Sequence, residues 1–153
     1  MRAASPVFGR WHCGVMSAST CLFCRISLGD EPAAVVLQTP EVLGFLDTRP
    51  VFKGHVLVIP RTHVVTVVDL PTDLRDPFLA GVQRVAHAMT TALGAQGSYV
   101  AMNNVVSQSV PHLHCHVVPR TKGDGLRGFF WPRVRYESED ELQEYAVRLR
   151  ADL

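Results

Sequence analysis

The spacing of apolar positions changes along the chain, and each change predicts an element. Residues 33–38, AAVVLQ, form a short β-branched run that Pro40 breaks, which reads as a strand. Leu43 to Asp47 predicts a second strand, ending on an acid and turning through Thr48-Arg49-Pro50. GHVLVIP, residues 54–60, places Val56, Leu57, Val58 and Ile59 in a row, as a buried strand does. The period then lengthens. Phe78, Val82, Val85, Ala86, Met89 and Leu93 recur at helical spacing. Thr72 is placed to cap that helix, Pro77 predicts an interruption near its start, and Gly94 suits its C-terminal end. YVAMNN, residues 99–104, predicts a further strand. Two short helices complete the pattern. One covers residues 25–30 and stops near Gly29. The other follows the capping box Ser138-Glu139-Asp140-Glu141, with Leu142, Tyr145, Ala146 and Leu149 on one face. Strands outnumber crossovers, so the pattern predicts an α+β fold: an antiparallel sheet of about five strands with helices on one side.

Gln108 to Arg120, QSVPHLHCHVVPR, stands apart. His112, His114 and His116 alternate with Leu113, Cys115 and Val117. On a strand the histidines would share one face and the apolar residues the other. Pro111 would set the strand's start and Pro119 its end. At about 3.3 Å per residue the outer histidines lie ~13 Å apart, so a single ligand atom cannot meet all three. They are expected to serve neighbouring tasks along one wall. Gln108 and Ser109, just upstream, can donate hydrogen bonds to an anion.

Composition narrows the classes. A chain of 153 residues suits one domain with a real core. It is 47% hydrophobic and 19% charged, with a net charge of +1. That balance is ordinary for a soluble globular protein and argues against a broad nucleic-acid footprint. No apolar run approaches a membrane span and no secretion signal is visible, which places the chain in the cytoplasm. In that reducing setting Cys13, Cys21, Cys24 and Cys115 are not expected to form disulfides. Cys115 reads as a small buried apolar residue. Cys21 and Cys24 form a C-x-x-C, which alone reads as a redox pair, half a zinc site or chance. Asp47 either caps its turn or accepts hydrogen bonds from vicinal hydroxyls. His55 reads as a solvent-facing residue at a strand end. Residues 1–20 show no period and read as an irregular extension, with Met16 an alternative start. Residues 121–136 mix Lys122, Arg127, Arg133 and Arg135 with Phe129, Phe130, Trp131 and Tyr136. Such interleaving can bind single-stranded nucleic acid; a covering loop or subunit contact is the preferred reading.

The segment QSVPHLHCHVVPR resembles the signature of the histidine triad (HIT) superfamily, and the resemblance runs from about Cys21 to about Arg135. It implies a single HIT-like domain over residues 21–153, commonly a homodimer. It implies that His114 is the nucleophile toward an α-phosphate, with Ser109 and His116 hydrogen-bonding the phosphate oxygens. Asp47, Asn103, Ser107, Gln108 and His55 would meet the nucleotide. Ser107 departs from the commoner glycine. In zinc-bearing bacterial members the ligands match Cys21, Cys24, His63 and His112, a closed and therefore structural set. The implied activity is hydrolysis of small purine nucleotides, such as adenosine phosphoramidates, through a nucleotidyl-histidine intermediate. The alternatives are a dinucleoside polyphosphate hydrolase, a zinc-stabilised nucleotide-binding module without turnover, and a nucleic-acid end-processing enzyme. No membrane partner is expected, and nucleic acid is disfavoured.

Overall fold

The structure, a computed structural model, describes residues 20–126 and 134–153. The expectations for Cys13, Met16, Arg127, Phe129, Phe130, Trp131 and Arg133 lie outside the described residues. Eight elements follow in order: α1 Leu22–Leu28, β1 Val35–Gln38, β2 Val42–Leu46, β3 Val56–Pro60, α2 Thr72–Leu93, β4 Gly97–Met102, β5 Cys115–Arg120 and α3 Glu139–Ala151. The five strands make one antiparallel sheet in the order β1-β2-β3-β5-β4. The α+β class and the five-stranded antiparallel sheet are as the pattern predicts.

Strand alternation sorts the core into two layers. Val42 of β2, Val56 and Val58 of β3, and Cys115 and Val117 of β5 pack against Phe78, Val82, Val85 and Met89 of α2. Leu43, Phe45, Leu57 and Ile59 turn the other way, onto Cys21, Phe23 and Cys24. Helices therefore flank both faces, not one, because α1 buries its own apolar residues on the side opposite α2. The approach of α2 to the sheet depends on Gly81, where an added Cβ would meet Val42 Cγ1 at 3.0 Å.

Several local expectations change. α1 begins at Leu22 rather than Arg25, so the C-x-x-C lies at a helix N-terminus, with Cys21 as N-cap. Pro71, not Thr72, occupies the N-cap of α2, and no side chain caps it. The helix runs through Pro77 as one element; only Pro77's own missing N–H interrupts its hydrogen bonds. β5 starts at Cys115, so His112 and His114 sit in the extended approach rather than in the ladder. Pro119 does not end the strand. Beyond Val117 the β5 register continues only with β4, and a proline on such an open side costs no ladder bond. Ser138 caps α3, its Oγ accepting from the Glu141 N–H at 3.1 Å, and none of the residues of α3 is buried. Among the described residues no helix is long and apolar enough to cross a membrane.

Candidate active site and metal centre

The face of the sheet that carries α1 holds two adjoining polar corners. The first gathers Cys21 and Cys24 from the start of α1, His63 from the loop after β3, and His112. Cys21 Sγ and Cys24 Sγ each lie 3.5 Å from His112 Nδ1, and Cys24 Sγ lies 3.3 Å from His63 Nδ1. The four donor atoms fall within 4.8 Å of one another. Tetrahedral zinc with ordinary Zn–S and Zn–N bonds sets ligand atoms roughly 3.3–3.8 Å apart, so the separations fit. The second nitrogen of His112 strengthens the case. His112 Nε2 donates to the Pro60 carbonyl at 2.9 Å, which leaves the Nδ1 lone pair facing the thiols. Burial holds His112 neutral, pushing its pKa down to about 4.

The second corner is a cavity of about 310 Å³. Leu22, Phe23 and Ile26 of α1, with Phe45 from β2, form an apolar wall, and Asp47, Ser109, His114 and His116 supply polar groups. Hydrogen bonds assign the tautomers. His114 Nδ1 donates to the His112 carbonyl at 2.7 Å, so His114 Nε2 carries the lone pair. The Val51 N–H donates to His55 Nδ1 at 3.3 Å, so His55 donates through Nε2 to His116 Nδ1 at 3.0 Å. His116 then presents an Nε2–H. Burial pushes the His116 pKa down to about 4, with His114 and His55 adding to the effect, and burial also lowers that of His55 against the pull of Asp47. Asp47 Oδ2 is 3.6 Å from His55 Nδ1, beyond a hydrogen bond. Its Oδ1 accepts from the Arg49 N–H at 2.8 Å. Asp47, His55 and His116 also lie close enough to suggest a metal set. The His55 and His116 nitrogens, however, face each other nearly along the 5.2 Å line between ring centroids. That is the geometry of a shared proton, not of two lone pairs converging on an ion.

The sequence-predicted residues separate into three groups. Cys21, Cys24, His63 and His112 converge, and Asp47, Ser109, His114 and His116 line one cavity with His55 directly behind. Asn103, Ser107 and Gln108 are not among the lining residues. They brace the loop that delivers Ser109. Asn103 Nδ2 donates to the Ser107 carbonyl at 3.3 Å, and Gln108 Nε2 donates to the Val65 carbonyl at 2.7 Å while its Oε1 accepts from the Val105 N–H. Val105 and Ser107 adopt φ values of 66° and 61° in that loop. The apolar wall from α1 escaped the sequence reading. Leu22, Phe23 and Ile26 carry no motif of their own, and only their position beside the C-x-x-C hints at a shared site.

Two imidazoles of opposite tautomer face one cavity next to a thiol–imidazole corner that could hold a metal ion. Comparison with known proteins supplies the family. Residues 29–123 match the HIT domain. "Protein hit" of Bacillus subtilis is 40% identical over 123 residues, covering 78% of this chain and 81% of its own. An adenosine 5'-monophosphoramidase of Schizosaccharomyces pombe is 32% identical over 123 residues, covering 79% and 90%. The crystal structure of a Zn-bound histidine triad family protein from Mycobacterium smegmatis shares 38% identity at a TM-score of 0.68, covering 89% of this chain and 99% of its own. The chain belongs to the HIT family.

Proposed function

We propose that this protein hydrolyses small purine nucleotides at the α-phosphate, with adenosine phosphoramidates as the favoured substrates, through a nucleotidyl-His114 intermediate. The observation that carries the reading is the His114 Nδ1–H bond to the His112 carbonyl. It turns Nε2 toward the cavity, the atom through which a nucleophilic imidazole attacks. His114 Nε2 attacks phosphorus, and the bond to the leaving amine breaks. The amine departs with a proton taken from solvent, while the His116 Nε2–H stays on the phosphate oxygens. Water then attacks phosphorus, the bond to His114 Nε2 breaks, a proton returns to solvent, and the nucleoside monophosphate is released. Ser109 and His116 offset charge on the phosphate oxygens. His55 fixes the His116 tautomer. Asp47 holds the ribose hydroxyls, and Asn103, Ser107 and Gln108 act from the loop beside the phosphate. The apolar wall receives the base, and the purine preference is supported by the monophosphoramidase relative.

Cys21, Cys24, His63 and His112 are proposed to hold a structural zinc, supported by the donor set and by the zinc-bound relative. A homodimer is proposed on the open edge of β4, whose exposed Val100 and Met102 invite a second copy; its mass in solution by light scattering checks this. The function is tested by turnover of an adenosine phosphoramidate beside a diadenosine polyphosphate, with mass spectrometry of rapidly quenched enzyme. The expected adduct is on His114. An adduct on His116, or far faster turnover of the polyphosphate, would overturn the mechanism or the substrate respectively.

A further inference from the structure

α1 has seven residues, and no side chain caps its N-terminus. A helix of that length does not persist without tertiary anchors. Besides the packing of Cys21, Phe23 and Cys24 on the sheet, two anchors are visible. At the C-terminal end, Arg61 Nη1 donates to the Ser27 carbonyl at 2.8 Å and lies 3.3 Å from its hydroxyl. At the N-terminal end the anchors are Cys21 and Cys24 at the metal corner. Phe23 lies between those two cysteines in sequence, is 5% exposed and lines the cavity. Its ring meets His114 edge-on, with centroids 5.2 Å apart and planes at 84°, and it also contacts His112 at 6.0 Å and Phe45 at 5.4 Å. The His114 ring is therefore restrained twice. The His112 carbonyl holds its Nδ1, and Phe23 packs against it from the cavity wall.

We infer that the metal corner fastens the substrate wall, and that Phe23 is a positioning residue for His114. With Cys21 and Cys24 ligated, α1 holds Phe23 against the imidazole and closes the apolar side of the cavity. Without the metal the first turn of α1 loosens, and nucleotide affinity falls before the sheet opens. The inference rests on the nucleotide and zinc readings above and adds a coupling between them. Its physical basis is that one short helix supplies both the ligands and the wall, so neither can shift alone. The contact with His114 adds an aromatic edge packing that an aliphatic side chain does not reproduce.

The test uses the zinc-loaded full chain, its chelator-treated form, and zinc-loaded Phe23→Ala and Phe23→Leu. Zinc content, AMP affinity by calorimetry, hydrogen exchange of residues 21–28 against 56–60, and kcat and KM on an adenosine phosphoramidate are recorded. Chelation should expose the amides of α1 while those of β3 stay protected, and AMP should bind about tenfold more weakly or worse. Phe23→Ala should keep its zinc, raise KM and lower kcat, each by about tenfold. Phe23→Leu, which refills the wall without a flat ring, should recover most of KM and little of kcat. Three outcomes overturn the coupling while wild type binds AMP normally. The first is unchanged AMP affinity and α1 protection after chelation. The second is simultaneous loss of protection in α1 and β3, which reduces the effect to global stability. The third is kcat and KM within twofold of wild type in Phe23→Ala. A zinc-loaded wild type that binds no AMP overturns the nucleotide reading itself and the coupling with it. Wild type without zinc overturns the metal reading in the same way.

Discussion

His112 and His114 are two residues apart and nearly equally buried, yet they face different chemistry. His112 donates through Nε2 to the Pro60 carbonyl and offers Nδ1 to two thiols. His114 donates through Nδ1 to the His112 carbonyl and offers Nε2 to the cavity. Opposite tautomers follow from which backbone carbonyl each ring finds. An imidazole with its lone pair turned toward thiols is disposed to bind a metal, whereas one with its lone pair in an open cavity is disposed to act as a nucleophile. The comparison teaches that histidine alternation selects a wall and the carbonyl partner selects the role. It also joins the corners, because the carbonyl that orients His114 belongs to His112, the residue that faces the two thiols.

The sharpest way to break the comparison is to disable one side at a time. His114→Ala should lower phosphoramidate turnover by on the order of 10⁴-fold, since the covalent route is lost. Zinc content and thermal midpoint should stay close to wild type. An active His114→Ala protein would sink the nucleophile assignment. On the other side, Cys21→Ser with Cys24→Ser should abolish zinc retention and lower stability, because metal binding is linked to folding. A loss of about 3 kcal/mol corresponds to roughly 10 °C in Tm for a chain this size. Metal analysis and calorimetry check both parts, and a zinc-free wild type of unchanged Tm would contradict the structural role.

These roles were legible in the sequence to different depths. The histidine face was readable because period two is a property of adjacent residues, although β5 itself begins only at Cys115. The sheet was readable from β-branched runs. What escaped was set by contacts distant in sequence. No local pattern places α1 across the sheet from α2, since the choice of face depends on which strand residues, Leu43 and Phe45 or Val42 and Gly44, turn toward it. No local pattern shows that the His114 Nδ1 meets a carbonyl. Phe23 carries no motif of its own inside the C-x-x-C, and only the third dimension sets it against His114. Asn103 read as a nucleotide contact from the family resemblance and Gln108 from its hydrogen-bond donors; the bonds they make brace the loop leading to Ser109.

A milder perturbation titrates the cavity corner. Burial pushes the pKa of His116 to about 4 and lowers that of His55. In the unfolded chain both return to about 6.5. Between those values the unfolded state binds more protons than the native state, so acid favours unfolding. Stability from this source is complete above pH 6.5 and is lost as pH falls toward 4. The urea midpoint should be flat between pH 7 and 8 and should decline between 6.5 and 4.5. His116→Asn should decline less steeply across the same window. Equal slopes in the two proteins would show that His116 is not among the groups resisting protonation.

The smallest expected effect lies in the link between the corners. The loop before Ser109 holds Ser107 at φ 61°, a left-handed conformation that side chains resist. A non-glycine residue there costs about 1–2 kcal/mol. Ser107→Gly removes that strain, but glycine also gains freedom in the unfolded chain, worth about 0.4–1 kcal/mol in the opposite direction. The difference predicts a net gain of about 0.5 kcal/mol, or roughly 1–2 °C in Tm. The bond from the Asn103 Nδ2 amide to the residue 107 carbonyl should survive, since no side-chain atom of Ser107 takes part in it. Ser107→Ala is the informative control. It deletes the hydroxyl and leaves the strain, so its Tm should not rise. If Ser107→Ala stabilised as much as Ser107→Gly, the hydroxyl and not the backbone angle would be the source of the cost, and the loop would not be under the strain that its φ implies.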